Sequence, residues 1–269
     1  MFLPWHREFL RRFELELQKV HPDLTLPYWD WTEDSSIAVI WSDELLGGNG
    51  DELDGWRVKT GQFAYGNKKW PIREDLGGPA LKRAFGETIV PGPGGASIAI
   101  HSLPTKQDVQ LALREVIYDT NPWNCSPFTR GFRNRLEGWI TQEGDYKVVY
   151  PGSQLHNRVH LWVGGSMVED ASPNDPAFFL HHCFVDKIWA DWQAVQQQKN
   201  PDASPHYLPK SGGPPGHNLN DPMHPWGQVT PADVLDHHAL GYSYDTEGEL
   251  HLQKLSVILD SVRSNPFTQ

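Results

Sequence analysis

At 269 residues and 38% hydrophobic content, the chain is long enough to bury a sizeable core in one domain. Its formal charge of -11, with no basic run, argues against a nucleic-acid partner. No apolar stretch approaches the length of a membrane span, so a soluble protein without a membrane partner is expected. Cys125 and Cys183 support no disulfide framework, and no signal peptide opens the sequence, which leaves the compartment open.

The chain begins MFLPWHREFLRRFELELQKVHP. Pro4 suits a helix start and Pro22 a stop, and His6, Phe9, Leu10, Phe13, Leu17 and Val20 recur on one face. A helix burying that face is expected, with Arg7, Glu8, Arg11, Arg12, Glu14, Glu16 and Lys19 mostly in solvent. A single His on such a stripe is more often a satisfied core residue than a ligand. Residues 35–105 are rich in Gly, Pro and turn signals and read as surface loops, with local packing at Trp70-Pro71-Ile72-Arg73 and from Leu81 to Phe85. Residues 106–119 predict a short helix with Val109, Leu113, Val116 and Ile117 inward. Phe128, Phe132, Leu136 and Trp139 form a further helical stripe with Glu137 at its border, where a carboxylate is ordinarily just an amphipathic edge.

The segment from His156 to Gln193 holds the chemistry. His156 and His160 are four residues apart, so a helix projects both imidazoles from one face. A Gly-Gly turn and the loop Ser172-Pro173-Asn174-Asp175-Pro176 lead to a second helix, with Pro176 in its first turn and Asn174 or Asp175 as cap. That helix carries His181 and His182 near its start and the apolar stripe Val185, Ile188, Trp189 and Trp192. Two His from one helix and one from its neighbour make a three-nitrogen set suited to copper or zinc. An isolated HxxxH pair is more often structural, and Asn157 stands where the HExxH zinc peptidases need a Glu base, so that reading loses its catalyst. Residues 193–227 read as a polar, Pro-rich loop in which His206, His217 and His224 lack ligand spacing. Thr230 and Asp233 predict a capping box. His237 and His238 have no HxxxH partner and read as structural, and the tail 246–269 as an added strand or helix.

The strings HNRVH, GGSM, SPNDPAFFLHH and VDKIWADWQ closely resemble the second copper motif of tyrosinases, catechol oxidases and molluscan haemocyanins, the type-3 copper proteins. FLPWHREF resembles the end of their first copper motif, and LPYWDWTED and LGYSYD also match, bacterial tyrosinases most closely. The resemblance spans about residues 1–245. It implies a mainly α fold whose central four-helix bundle holds two copper ions, with long Gly/Pro-rich loops, in a single domain over residues 1–269. By the same resemblance His156, His160 and His182 ligate the second copper and His6 the first, while His181 stands behind them with Asp186 as an orienting acceptor. Asp30 is either another such acceptor or a turn carboxylate. Glu137, carried by FRNRLEGW, and Asn157 would hold a water that deprotonates incoming phenols. Leu161, Glu169 and Asp170 would border the substrate entrance. The family draws two further first-copper histidines from segments upstream of this phrase, and the sequence starts inside the motif; the expectation is a missing N-terminal piece, the alternative an incomplete first site.

The implied function is a dicopper oxidase that uses O2 to hydroxylate monophenols at the ortho position, to oxidise o-diphenols to o-quinones, or both. Its partners would be a small phenol, O2 and a copper-loading chaperone. The competing readings are a catechol or o-aminophenol oxidase without hydroxylase activity, a haemocyanin-like O2 carrier, and a non-catalytic homologue with one copper or none.

Overall fold

The computed structural model describes residues 1–67, 79–140, 152–168, 170–203 and 206–247. Trp70-Pro71-Ile72-Arg73, Glu169 and the tail beyond residue 247 lie outside the described residues. Six helices carry the architecture: α1 (Phe2–Gln18), α2 (Asp34–Ile40), α3 (Lys106–Leu113), α4 (Phe132–Glu137), α5 (Leu155–Val163) and α6 (Ala177–Lys199). α1, α6, α5 and α4 contact one another in a closed ring, the four-helix bundle, and α3 packs against α4 and α6. Two small antiparallel hairpins lie between α2 and α3. β1 (Gly50–Asp51) pairs with β2 (Arg57–Val58), and β3 (Ile89–Pro91) pairs with β4 (Ser97–Ala99) in the register Ile89 to Ala99. No described helix is long and apolar enough to cross a membrane.

α6 is the axis of the bundle. The expected stripe is there, with Val185, Ile188, Trp189 and Trp192 all buried, but so are Asp186, Lys187 and Asp191 on the other sides. A helix wrapped on all sides must satisfy its polar groups internally. Lys187 donates to Asp191 Oδ2 one turn on at 2.8 Å, and Trp192 Nε1 donates to the Glu115 carbonyl at 2.6 Å. Phe132 stacks on Trp192 at 4.5 Å, which seats α4 against the axis. Burying one such aromatic contributes about 1.5–3 kcal/mol, so these rings dominate the packing energy.

α1 departs from the predicted face. Leu10 is buried as expected, but Val20 is 87% exposed beyond the helix end, and Arg7 and Glu8, expected in solvent, are 1% and 0% exposed. The reason is ionic pairing. Arg7 donates to Asp186 Oδ1 at 2.6 Å and to the carbonyls of Val234 and Leu235, and its guanidinium lies 3.7 Å over the Trp189 ring. Glu8 accepts from Arg11 and Arg12 at 2.9 and 2.6 Å. The third helix is also shorter than predicted: it ends at Leu113, and Val116 and Ile117 are 66% and 46% exposed. Thr105 and Asp108 form its capping box, and the predicted Thr230–Asp233 box is present as well. Phe128 lies outside α4 and is exposed, whereas Phe132 and Leu136 are buried.

The loop before α6 is clamped by a residue that sequence reading passes over. Arg83 makes two bonds to Asp175, from Nε at 2.7 Å and Nη2 at 2.8 Å, with both side chains fully buried, and also donates to the Leu46 and Gly47 carbonyls. Asp175 also accepts from the Ala177 amide at the start of α6, although Pro176, expected in the first turn, occupies the cap position itself. The Gly-Gly turn after α5 has a comparable role. A Cβ on Gly165, at φ +52°, would lie 2.3 Å from the Lys82 carbonyl oxygen, so only glycine lets the 82–84 segment close on the end of α5.

Candidate metal centre

α5 and α6 pack against each other in the bundle and carry four histidines between them. His156 and His160 project from one face of α5, as their spacing requires, toward His182 on α6. The Nε2 atom of His182 lies 3.4 Å from Nε2 of His156 and 3.2 Å from Nε2 of His160. The other nitrogens of the α5 pair are spoken for. His156 Nδ1 is 2.8 Å from Asn157 Oδ1 and 3.3 Å from the Glu137 carbonyl, and His160 Nδ1 is 2.7 Å from the Met167 carbonyl. All three oxygens can only accept, so Nδ1 of His156 and Nδ1 of His160 each donate a proton and each Nε2 is left as a lone pair.

Lone pairs aimed at one another repel unless a cation lies among them. Protons are disfavoured there. Burial pushes His160 down to about 4; it also pushes His156 and His182 well below the ordinary imidazole value, and for these two the neighbouring imidazoles add to the shift. Neutral imidazoles converging through Nε2, each oriented by an oxygen acceptor behind it, are the donor set and outer support of a transition-metal site. The three residues fit copper.

His6 packs against this cluster from the α1 side but is not among the four histidines, 156, 160, 181 and 182, whose nitrogens lie within 4.8 Å of one another. Its ring stacks on His182 at 4.2 Å with 13° between planes, its Nδ1 lies 2.9 Å from the Phe2 carbonyl, and burial lowers it to about 4. Phe2 covers it, 4.7 Å from the His6 ring and 4.6 Å from that of His156. His181 is different. It stacks on His156 at 5.1 Å, is 0% exposed, and neither of its nitrogens has a hydrogen-bond partner among the described residues. Of the adjacent pair it is therefore His182 whose Nε2 meets both α5 histidines, although His181 also has a nitrogen within 4.8 Å of the others.

Asp186 does not orient an imidazole. It accepts from Arg7, Tyr242 and Tyr244 at 2.6, 2.7 and 2.6 Å, and His182 Nδ1 has no partner among the described residues. The expected support is corrected on that point: one turn along α6 carries the Asp186 side chain to the α1 guanidinium rather than back to the ring. Asp30 is a turn carboxylate, accepting from the Thr32 amide and hydroxyl at 2.9 and 2.6 Å. The actual orienting groups are the Met167 carbonyl and Asn157. A backbone oxygen leaves no mark in a sequence beyond the turn that carries it.

A cleft of about 460 Å³ opens onto the cluster, lined by His6, His156, His160 and His182 together with Trp5, Asn157, Leu161, Met167, Asp170 and Phe178. Leu161 and Asp170, expected near the substrate entrance, both line this cleft. Glu137 is not among the lining residues. Its carboxylate takes Arg133 Nη1 at 2.8 Å and lies 3.7 Å from Cys125 Sγ. The backbone does bring the two predicted proton-handling residues into adjoining segments: a Cβ on Gly138, at φ +113°, would lie 3.1 Å from Asn157 Cβ. Cys183 is buried, as expected of a small core residue. Another cleft, of about 510 Å³, is lined by Arg7, Tyr28, Asp186, Tyr242 and Tyr244 and contains no imidazole.

Comparison with known proteins agrees with this geometry. Residues 1–195 match the Tyrosinase family, described as the common central domain of tyrosinase. A tyrosinase of Streptomyces glaucescens is 45% identical over 248 residues, covering 91% of this chain and 79% of the relative. Grixazone synthase of Streptomyces griseus is 41% identical over 266 residues, covering 91% and 79%. Among solved structures, a variant polyphenol oxidase from Thermothelomyces thermophila shares the fold with a TM-score of 0.54 at 21% identity, over 87% of this chain and 69% of the other.

Proposed function

Because this chain belongs to the tyrosinase family of dicopper enzymes that oxidise phenols with O2, we propose that it acts on both monophenols and o-diphenols, with residues 1–245 as the copper-bearing core. When bound, the copper pair supplies the redox chemistry by which O2 oxidises the phenol ring. His156, His160 and His182 would hold one ion through Nε2, and His6 would contribute to the other. What carries this reading is the convergence of three Nε2 atoms at 3.2–3.4 Å, from the buried rings of His156 and His182 and the half-buried ring of His160, with the α5 members oriented from behind.

The protein's own groups supply the rest. The rings of Phe2 and Phe178 pack against His156 and His182, at 4.6 and 4.1 Å, and give the ligands apolar cover beside the cleft. Asn157 lines the cleft while holding His156 Nδ1, so an incoming phenol meets its amide beside the ligand set. In this reading a water held by Asn157 accepts the phenolic proton, and Glu137, behind Gly138, supports the charge that develops. General-base help of this kind contributes about 10²–10⁴-fold. The test compares initial rates on a monophenol and its matching catechol in Asn157→Ala protein of normal copper content. We expect the monophenol rate to fall at least about tenfold more than the catechol rate. Equal falls would remove the proton-handling role.

One observation favours a second reading. The Glu137 carboxylate is paired with Arg133, off the cleft wall, which suits an oxidase of o-diphenols or o-aminophenols without hydroxylation, and one relative bears the name grixazone synthase. Wild-type protein that turns over catechol but no monophenol would establish it. Asp170 at the mouth adds a negative rim, so neutral and cationic phenols should outpace carboxylate-bearing ones. Asp170→Asn should erase that preference, and an unchanged preference would clear Asp170 of the role.

A further inference from the structure

The His237-His238 pair has no ligand spacing in the sequence, yet the fold gives it a third partner. Glu247 returns across a turn so that Oε1 lies 2.8 Å from His237 Nε2 and Oε2 lies 3.1 Å from His238 Nε2. The two rings lie side by side and tilted, with centroids 4.1 Å apart and 33° between planes. All three donor atoms fall within 4.8 Å of one another. The backbone fixes the arrangement: the Leu240 amide donates to the His237 carbonyl at 3.1 Å, and the Tyr244 amide donates to Glu247 Oε1 at 2.8 Å. With no ion between them, His237 Nε2 donates to the Glu247 carboxylate, and an entering cation would take the place of that proton. The pair borders a cleft of about 380 Å³, whose wall also carries His206, with a buried Nε2 that has no hydrogen-bond partner among the described residues.

We propose that His237, His238 and Glu247 form an auxiliary site for a divalent cation of borderline softness, Zn²⁺ or Cu²⁺, apart from the histidine centre in the bundle. Two neutral imidazoles and one carboxylate are an established donor set for such ions, with the remaining positions open to water. Ligand pairs around an ion at about 2.0–2.2 Å stand roughly 3.2–3.6 Å apart in tetrahedral geometry. The present separations of 2.8 and 3.1 Å need to open by only a few tenths of an ångström. The carboxylate also gives the site a net negative charge before the ion arrives.

Occupancy would pin the turn 237–247 to the bundle. Tyr242 and Tyr244 in that turn donate to Asp186, and Asp186 holds Arg7, the residue after His6. The ion therefore closes a clamp on α1 and α6 from outside the catalytic cluster.

The test uses the full chain loaded with copper, so that the bundle histidines are filled, then exposed to zinc sulfate and desalted. Metal per chain is counted by elemental analysis and thermal unfolding is followed in parallel. Wild-type protein should retain one zinc beyond its copper and unfold at a higher temperature with zinc than without. His238→Ala, which removes a ring 62% exposed, and Glu247→Gln should each lose both responses while keeping their copper. No retained zinc in wild-type protein, or equal zinc in wild type and both variants, would overturn the proposal and leave the triad as a hydrogen-bonded clamp.

Discussion

Two adjacent-histidine pairs in one chain meet opposite fates. His181 and His182 lie on a buried helix, where neighbouring side chains diverge by about 100°, so one ring reaches the ligand cluster through Nε2 and the other stacks behind it. His237 and His238 lie on a turn, where the backbone lets both rings face the same way and address one carboxylate. The dipeptide alone therefore says nothing about ligation. The backbone beneath it decides how many of its nitrogens can meet, and the surroundings decide their protonation.

That contrast is sharpest in acid. In the copper-free fold burial holds His6 and His160 at about 4, and His156, His181 and His182 well below the ordinary 6.5 of an unhindered imidazole. Below 6.5 the unfolded chain binds protons that the folded chain refuses, so stability falls as pH drops from 6.5 through 4, and is flat on this account above 6.5. The urea midpoint of copper-free protein should fall steeply between pH 7 and 5. A midpoint that stays level over that range would mean the rings are not buried as described. This is the largest effect expected, because five imidazoles share it.

Next comes the residue that joins the two regions. Asp186 is 4% exposed, accepts from Arg7 on the bundle side, and accepts from Tyr242 and Tyr244 on the side of the second pair. Asp186→Ala leaves a buried guanidinium without its counter-charge, which costs about 3–5 kcal/mol. Chemical denaturation at neutral pH should show a loss of that size. A loss under about 1 kcal/mol would mean that the Val234 and Leu235 carbonyls alone satisfy Arg7.

Much of this was legible in the sequence, and the residues show why the rest was not. The four-residue spacing of His156 and His160 and the long apolar stripe of α6 are local facts, and local periodicity carries them into the structure intact. Arg7 departs from the expected face because its burial depends on Asp186, 179 positions away, and Glu8 because Arg11 and Arg12 on its own helix fold over its carboxylate. Periodicity weighs a charge as solvent-facing and has no way to see a distant counter-ion. Val116 and Ile117 continue a helical pattern past the point where α3 stops, since apolar spacing does not mark the end of a helix. Asp186 as an imidazole support followed from its position one turn after His182, but the helix turns it toward α1. The Glu247 partnership forms across a turn with no spacing rule. The His160 support is a carbonyl, which no side-chain pattern can announce.

The most direct test of the central claim is copper bound per chain in His182→Ala and His181→Ala proteins, loaded in parallel with wild type. Both variants remove one buried ring from the same helix, so general damage to packing should affect them alike. The account predicts that His182→Ala loses the copper held with His156 and His160, while His181→Ala keeps the wild-type amount. Copper lost from His181→Ala and retained in His182→Ala would contradict it and assign the third ligand to the other histidine.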